Sequence, residues 1–297
     1  MTKSQSHIAL CLAATWILWG STFLAIKLAL PGFPPFFQMG SRFLCAGLIL
    51  LLWLHLVRGR ALPSARQWRN ALIVGGLLLA GGGGGTAYAE QSVASGLAAA
   101  FIAVEPAMMA CGHWAFGRKP TRREVFGILL GLCGVILLVS GAGFASSTVG
   151  LSAMAIAALS WSVGSVLEVE RLHTAPGLMG AASQMICGGG VLLAISAASR
   201  EPLHWPTLSS AVAWIYLVVF GSLLAFSAFA TLLHATRTSI AMSYTFVNPV
   251  VAAVLGVSLA GETLTPVEVG ATAIIVASVV LLLFEASPAP GTTPAAK

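Results

Sequence analysis

Apolar positions in this chain do not alternate with polar ones; they run on. Stretches of roughly 17 to 25 apolar residues recur along it, each long enough to cross a hydrocarbon core of about 30 Å. No backbone polar group can be left open to lipid, so such spans are helices or strands of a closed barrel, and long runs without a period of two select helices. The pattern predicts helices over roughly 8–29, 35–57, 69–88, 93–117, 123–141, 149–170, 178–199, 211–232, 239–260 and 266–285, with ends placed to about 2 to 4 residues. Turn chemistry falls between them: Pro31, Gly32, Pro34 and Pro35 after the first, Pro120 after the fourth, Pro176 and Gly177 after the sixth. The run from Ile8 is read as the first helix and not as a cleaved signal peptide, because it is too long and its WILWGSTF core lacks a small-residue cleavage pattern. The segment 287–297, rich in Pro, Ala and Thr, is predicted to be a disordered tail.

Charge sets the orientation. With the N-terminus cytoplasmic, the inner connections hold Lys3, Arg58, Arg60, Arg66, Arg69, Arg118, Lys119, Arg122, Arg123, Arg171, Arg237 and Lys297, whereas the outer ones hold only Arg200. Lys and Arg concentrate on the cytoplasmic side of membrane proteins, so both termini are predicted cytoplasmic, and a missed or extra span would scramble the alternation. The chain is 58% hydrophobic and 8% charged, too little charge for a water-facing surface, where about 25% is usual. The formal net charge of +6 sits between the apolar runs with no basic stripe of interleaved aromatics, so it marks topology and not a nucleic-acid partner. Cys11, Cys45, Cys111, Cys133 and Cys187 lie in apolar runs without CxxC spacing and read as small core residues, with no metal site or cofactor implied. All nine acidic residues are Glu.

Shifting the chain by about 143 to 144 residues lays Gly20-Ser21 on Gly164-Ser165, Glu105-Pro106 on Asn248-Pro249, and Gly127 on Gly270. Two homologous halves follow, 1–143 and 144–286, each of five helices. Five is odd, so the second half enters the membrane from the opposite side. The expected fold is thus an all-α membrane protein of ten transmembrane helices in a 5+5 inverted-topology repeat, the device by which many secondary transporters build a central site with two alternating openings.

WILWGSTFLAIKLAL at the start, SWSVGSV in the second half and AMSYTFVNPVVAAVLGVSLAGETL near the end resemble the EamA family of the drug/metabolite transporter superfamily, closest to its YedA-like permeases. The similarity runs over essentially the whole chain. It implies a ten-helix carrier of the bacterial inner membrane with a central cavity, whose characterised relatives export amino acids and other metabolites. The family's Gly-Glu pair near the outer end of the ninth helix corresponds to Gly261-Glu262; its first-half counterpart reads Gly117-Arg118.

Several residues are candidates for the work. Trp16, Trp19, Phe23 and Lys27 form one stripe of the first helix, and Trp161, Ser165 and Glu168 the matching stripe of the sixth. Such a stripe serves either interhelix packing and interface anchoring or a cavity wall, in which aromatic faces receive an organic amine while the Gly20-Ser21 and Gly164-Ser165 pairs allow close backbone approach. Gly81, Gly82, Gly83, Gly84 and Gly85, followed by Thr86 and Tyr88, form a run of poor helix propensity, about 1 kcal/mol per Gly relative to Ala; tight packing and a hinge are both open. Pro106 and Pro249 free the carbonyls of Ile102 and Thr245, as kinks or as hinges, with Asn248 and Tyr244 adding polar groups to the same wall. Arg42 lies deeper than Lys27 and Glu90 and suits a substrate carboxylate. Glu105, mid-span, must face the bundle interior and be protonated or paired, since a charge at that depth costs at least a few kcal/mol.

There is no nucleophile-base pair, Walker motif or nucleotide loop. The expected partners are a small-molecule substrate, with coupling to protons and passive facilitation both open, and the lipid bilayer. The leading function is secondary export of amino acids or similar metabolites; multidrug or cation efflux is the runner-up, and a membrane-embedded enzyme or a scaffold is the alternative from another class.

Overall fold

The protein is described here by a computed structural model that covers residues 3–140, 147–203, 205–260 and 265–283. Gly261-Glu262, the junction of the two predicted halves and the predicted tail lie outside the described residues. Those residues form helices and connections without a strand.

Helix α1 covers residues 3–29, with a π-helical stretch at Thr15–Trp19. It is followed by α2 (Pro35–Val57), α3 (Ala65–Ala89) and α4 (Ser95–Ala115), α5 (Arg122–Val139), α6 (Thr148–Glu170), α7 (Leu178–Ala198) and α8 (Leu208–Ala235). A single turn, Thr238–Ala241, leads into α9 (Tyr244–Ala260), and α10 is Pro266–Leu283. The starts are written locally: Pro35 opens α2, whose missing N–H costs nothing at a first turn, and Ser64 and Thr121 close capping boxes with Gln67 and Glu124. Gly117, at φ +88°, ends α4 in the left-handed region that glycine tolerates.

By length and apolar composition, seven helices among the described residues are able to cross a membrane: Gln5–Ala29, α2, α3, α4, α6, α7 and α8. The remaining three are α5, α9 and α10, the last two bordering residues outside those described. Helix α5 opens on Arg122, Arg123 and Glu124, and Tyr244–Ala260 has 17 residues.

Small residues let the rods close up. Gly40 and Gly47 of α2 face Leu193 and Ile186 of α7, and Gly189 of α7 meets the backbone of Leu44. In the same way Gly127, Gly131 and Gly134 of α5 lie against Leu282, Ser278 and Ile275 of α10, where Ser278 Oγ donates to the Gly127 carbonyl at 2.9 Å. The loops meet at two ends. At one, Asn70 Nδ2 donates to the His173 carbonyl, the Arg171 guanidinium lies over Phe116, and Thr238 bonds His113; this end also carries Arg58, Arg60, Arg66, Arg118, Lys119, Arg122 and Arg123 and is called the basic end below. At the other, Glu201 accepts from the Phe36 and Phe37 N–H groups at 3.0 and 2.8 Å, fastening the loop before α8 to the start of α2.

Candidate functional site

A cavity of about 80 Å³ opens in the middle of the bundle. Helices α1, α2, α3, α4, α6, α8 and α9 all contribute to its wall. Three of them are π-wound where they do so: Trp19 ends Thr15–Trp19, Gly82 and Gly83 lie in Gly76–Gly84, and Gly221 and Phe226 lie in Leu217–Phe226. π-Wound turns give up the regular i→i−4 ladder and often mark functional positions. One carbonyl of these stretches is used directly, since Trp19 Nε1 donates to Gly221 O at 3.0 Å.

Aromatic rings make the floor. Trp19 stands edge-on to Trp161 at 5.6 Å and to Tyr244 at 4.6 Å, and Phe229 closes behind them at 5.2 Å from Trp19 and 5.4 Å from Trp161. Edge-to-face rings at such separations fix one another's orientation, so the surface offered to a ligand is rigid.

Three of the polar side chains that line this enclosure are deeply buried and chemically distinct. Arg42 is 4% exposed, its guanidinium 4.5 Å from the Phe43 ring, and its Nε and Nη1 are without a hydrogen-bond acceptor. Its charge is felt by Glu90, one turn beyond the cavity residue Thr86. Glu105 is as buried as Arg42 and accepts from the Tyr244 hydroxyl at 3.3 Å. Asn248 is 1% exposed with both Nδ2 and Oδ1 unpartnered. Buried polar atoms left unmade cost about 1–3 kcal/mol each, and folded proteins rarely carry them without a use. A cation, a carboxyl group and an amide around one void form a set that a small zwitterion or polar organic molecule would complete.

Of the residues singled out from the sequence, Trp19, Arg42, Gly82, Gly83, Glu105, Trp161, Tyr244 and Asn248 border the cavity. Trp16 stands apart, donating from Nε1 to Ser243 Oγ at 2.9 Å. Ser21 accepts from Tyr216 and donates to the Leu18 carbonyl. Tyr88 stacks on Phe36 near the surface, opposite the basic end, and Ser165 is fully buried behind Trp161 with its Oγ unpartnered. The glycine run stays within a continuous rod: Gly82 backs onto Trp161, Gly84 onto Leu192 and Gly85 onto Ala157. Pro106 follows a 3-10 turn at Ile102–Val104, whereas Pro249 sits inside the continuous Tyr244–Ala260. Phe23 and Thr86, both named from the sequence, line the void too, and sequence reasoning missed Thr22, Ile26, Met39 and Phe226, which also line it. A signal existed on α1, where Trp19, Thr22, Phe23 and Ile26 repeat at i, i+3, i+4 and i+7. Among the described residues no group of His, Cys or Glu is placed to hold a metal ion.

The model of the EamA-like transporter family matches residues 6–140 and again 148–284. The chain belongs to the EamA-like transporter family. Within it, the chain is 40% identical over 284 residues to the inner membrane transporter YedA of Escherichia coli strain K12, covering 93% of this chain and 92% of that one. It is 28% identical over 289 residues to the transporter YvbV of Bacillus subtilis strain 168, covering 94% and 92%. A crystal structure with 21% sequence identity superposes with a TM-score of 0.75 over 93% of this chain and 96% of that one, a likeness of fold. The cavity therefore sits inside a chain of a transporter family.

Proposed function

We propose that this member of the EamA-like family is a secondary transporter of amino acids or similar small organic metabolites, exporting them across a bacterial inner membrane by alternating access at the central cavity. The observation that carries this reading is the void bordered by Arg42, Glu105 and Asn248, all buried and two of them with unpartnered atoms, over a floor of Trp19, Trp161 and Tyr244. A substrate carboxylate would take the free Arg42 donors, and its ammonium group the Glu105 carboxylate and the aromatic faces. Arg42 also weighs against the second reading, efflux of lipophilic cations, because a like charge facing the void penalises them.

The frame of the proposal is ten spans as two inverted five-helix halves, 1–143 and 144–286, with both termini cytoplasmic. The packing of α2 on α7 and of α5 on α10, equivalent rods of the two halves, supports it, as does the gathering of basic loops at one end. Gly81–Gly85, Pro106 and Pro249 are the places where the halves would flex.

Purified protein in sealed liposomes tests the reading. Radiolabelled amino acids, polyamines, nucleosides and a lipophilic cation are offered in turn, with the expectation that an amino acid shows counterflow and the cation does not. Chemical change of an offered compound would identify an enzyme, and no movement of any of them would point to a scaffold.

A further inference from the structure

At the basic end, apart from the cavity, two carboxylates of α6 meet two histidines. Glu170 Oε1 lies 2.7 Å from His113 Nδ1 on α4 and 3.1 Å from Arg118 Nε, and His113 Nε2 is 2.9 Å from Thr238 Oγ1. That pair is saturated on both sides. Glu168, two residues deeper, is different. It is 2% exposed, and its Oε1 accepts from Thr174 Oγ1 at 3.1 Å and from Gln184 Nε2, both neutral donors. A titratable partner within reach is His234 of α8, whose Nε2 is 3.5 Å from the same oxygen while its side chain is 49% exposed. A buried acid thus touches one titratable group that stands in water.

The same face of α6 leads inward. Ser165, one turn back from Glu168, is fully buried with an unpartnered Oγ, and Trp161, a further turn back, borders the cavity. We propose that Glu168 and His234 form a proton-binding port between the basic end and the cavity. The His234 imidazolium, charged from water, gives its Nε2 proton to Glu168 Oε1: the N–H bond breaks, an O–H bond forms, and the neutral ring takes its next proton from the solvent. A rotamer change of the half-exposed ring closes the 3.5 Å gap. Ser165 Oγ, able to donate and accept, is the next group on the line. The other titratable or charged groups brought to this end include His113, Arg118 and Glu170, Arg66 and Arg69 of α3, His7 of α1, Arg171, His173 and Arg237, with Arg58, Arg60, Lys119, Arg122, Arg123 and Glu124 in the loops and helix start beyond them; of these, His113 and Arg118 are engaged by Glu170.

Use of the port to drive substrate rests on the transport reading; the proton site itself does not, and the two are tested separately. Infrared pH titration of the full chain in lipid nanodiscs reads protonated carboxyl groups without any substrate. The expected result is a carboxyl component lost in Glu168→Gln, where the amide oxygen still accepts from Gln184 and Thr174, and shifted in midpoint by about one pH unit or more in His234→Asn. The Glu105→Gln protein should retain it. A Glu168→Gln spectrum without such a loss, or an unmoved midpoint in His234→Asn, overturns the port. In liposomes holding a pH-indicator dye, the same Glu168→Gln protein should keep amino-acid counterflow yet lose accumulation driven by a pH gradient; unchanged accumulation overturns the coupling. Absence of counterflow in the parent protein would remove the transport reading and leave the infrared result to decide the port.

Discussion

Arg42 is the residue at which the proposed function and stability would pull apart. A guanidinium at 4% exposure with two nitrogens that meet no acceptor among the described residues is a buried charge whose desolvation Glu90 offsets only in part. Arg42→Gln is therefore expected to keep or raise the melting temperature in detergent while raising the KM for an amino acid about tenfold or more, the loss of a charge-assisted hydrogen bond of roughly 1.5–3 kcal/mol. A parallel fall in both would assign Arg42 to packing. Glu105 makes the complementary case. In Glu105→Gln the Tyr244 hydroxyl still has an oxygen to donate to, so the fold should persist and the pH dependence of substrate accumulation should disappear. Unchanged transport rate and pH profile would leave Glu105 a structural acceptor. Substrate should also quench the fluorescence of Trp19 and Trp161, which border the void, and Trp161→Ala should abolish most of that response.

At the scale of elements, the contacts between rods are decided by which glycines lack room for a methyl group. A Cβ at Gly189 of α7 would come within 2.7 Å of the Leu44 N and 2.9 Å of the Gly40 O, backbone atoms that cannot step aside, whereas one at the adjacent Gly190 meets nothing within 4 Å. Gly189→Ala should separate α2 from α7 and cost about 1–3 kcal/mol, while Gly190→Ala should gain up to about 1 kcal/mol of helix propensity. Thermal denaturation of the two proteins side by side checks this; equal shifts would mean that α2 and α7 do not pack as described. The π-wound stretch of α1 works at this scale too. Its extra residue per turn breaks the phase between Trp16 and Trp19, so the stripe drawn from sequence spacing rotates: Trp16 goes to Ser243 and Lys27 is exposed, while Thr22 and Ile26 take the cavity face.

For the molecule as a whole, the gathering of basic loops at one end gives a topology test. A cytoplasm-only fluorescent reporter inserted at Gly59 or at Lys119 should give signal, and one inserted at Trp205, in the loop before α8 at the opposite end, should not. Signal from the Trp205 insertion would reverse the proposed orientation. The same arrangement separates the two polar systems of the protein. Arg42, Glu105 and Asn248 face the central void, whereas the pairs Glu170 with His113 and Glu168 with His234 join the ends of α4, α6 and α8 at the basic end.

The helical, membrane-spanning character was legible in the sequence alone, because apolar run length and backbone hydrogen bonding are local properties that lipid leaves no freedom to vary. The family resemblance and the deep polar residues Arg42, Glu105 and Asn248 were legible for a related reason: a polar group within an apolar run is conspicuous, and it must turn inward. What tertiary structure decided was which of them share a space. Neither Trp16 nor Ser21 nor Tyr88 borders the void, since their faces are set by π-winding and by neighbours far away in sequence. The glycine run is seen to be packed on α6 and α7, and Glu168, placed on a stripe with Trp161 by spacing alone, meets His234 only because α8 returns to the end of α6. Side-chain periodicity specifies a face but not the partner opposite it, and the partner is set by how the rods close on one another.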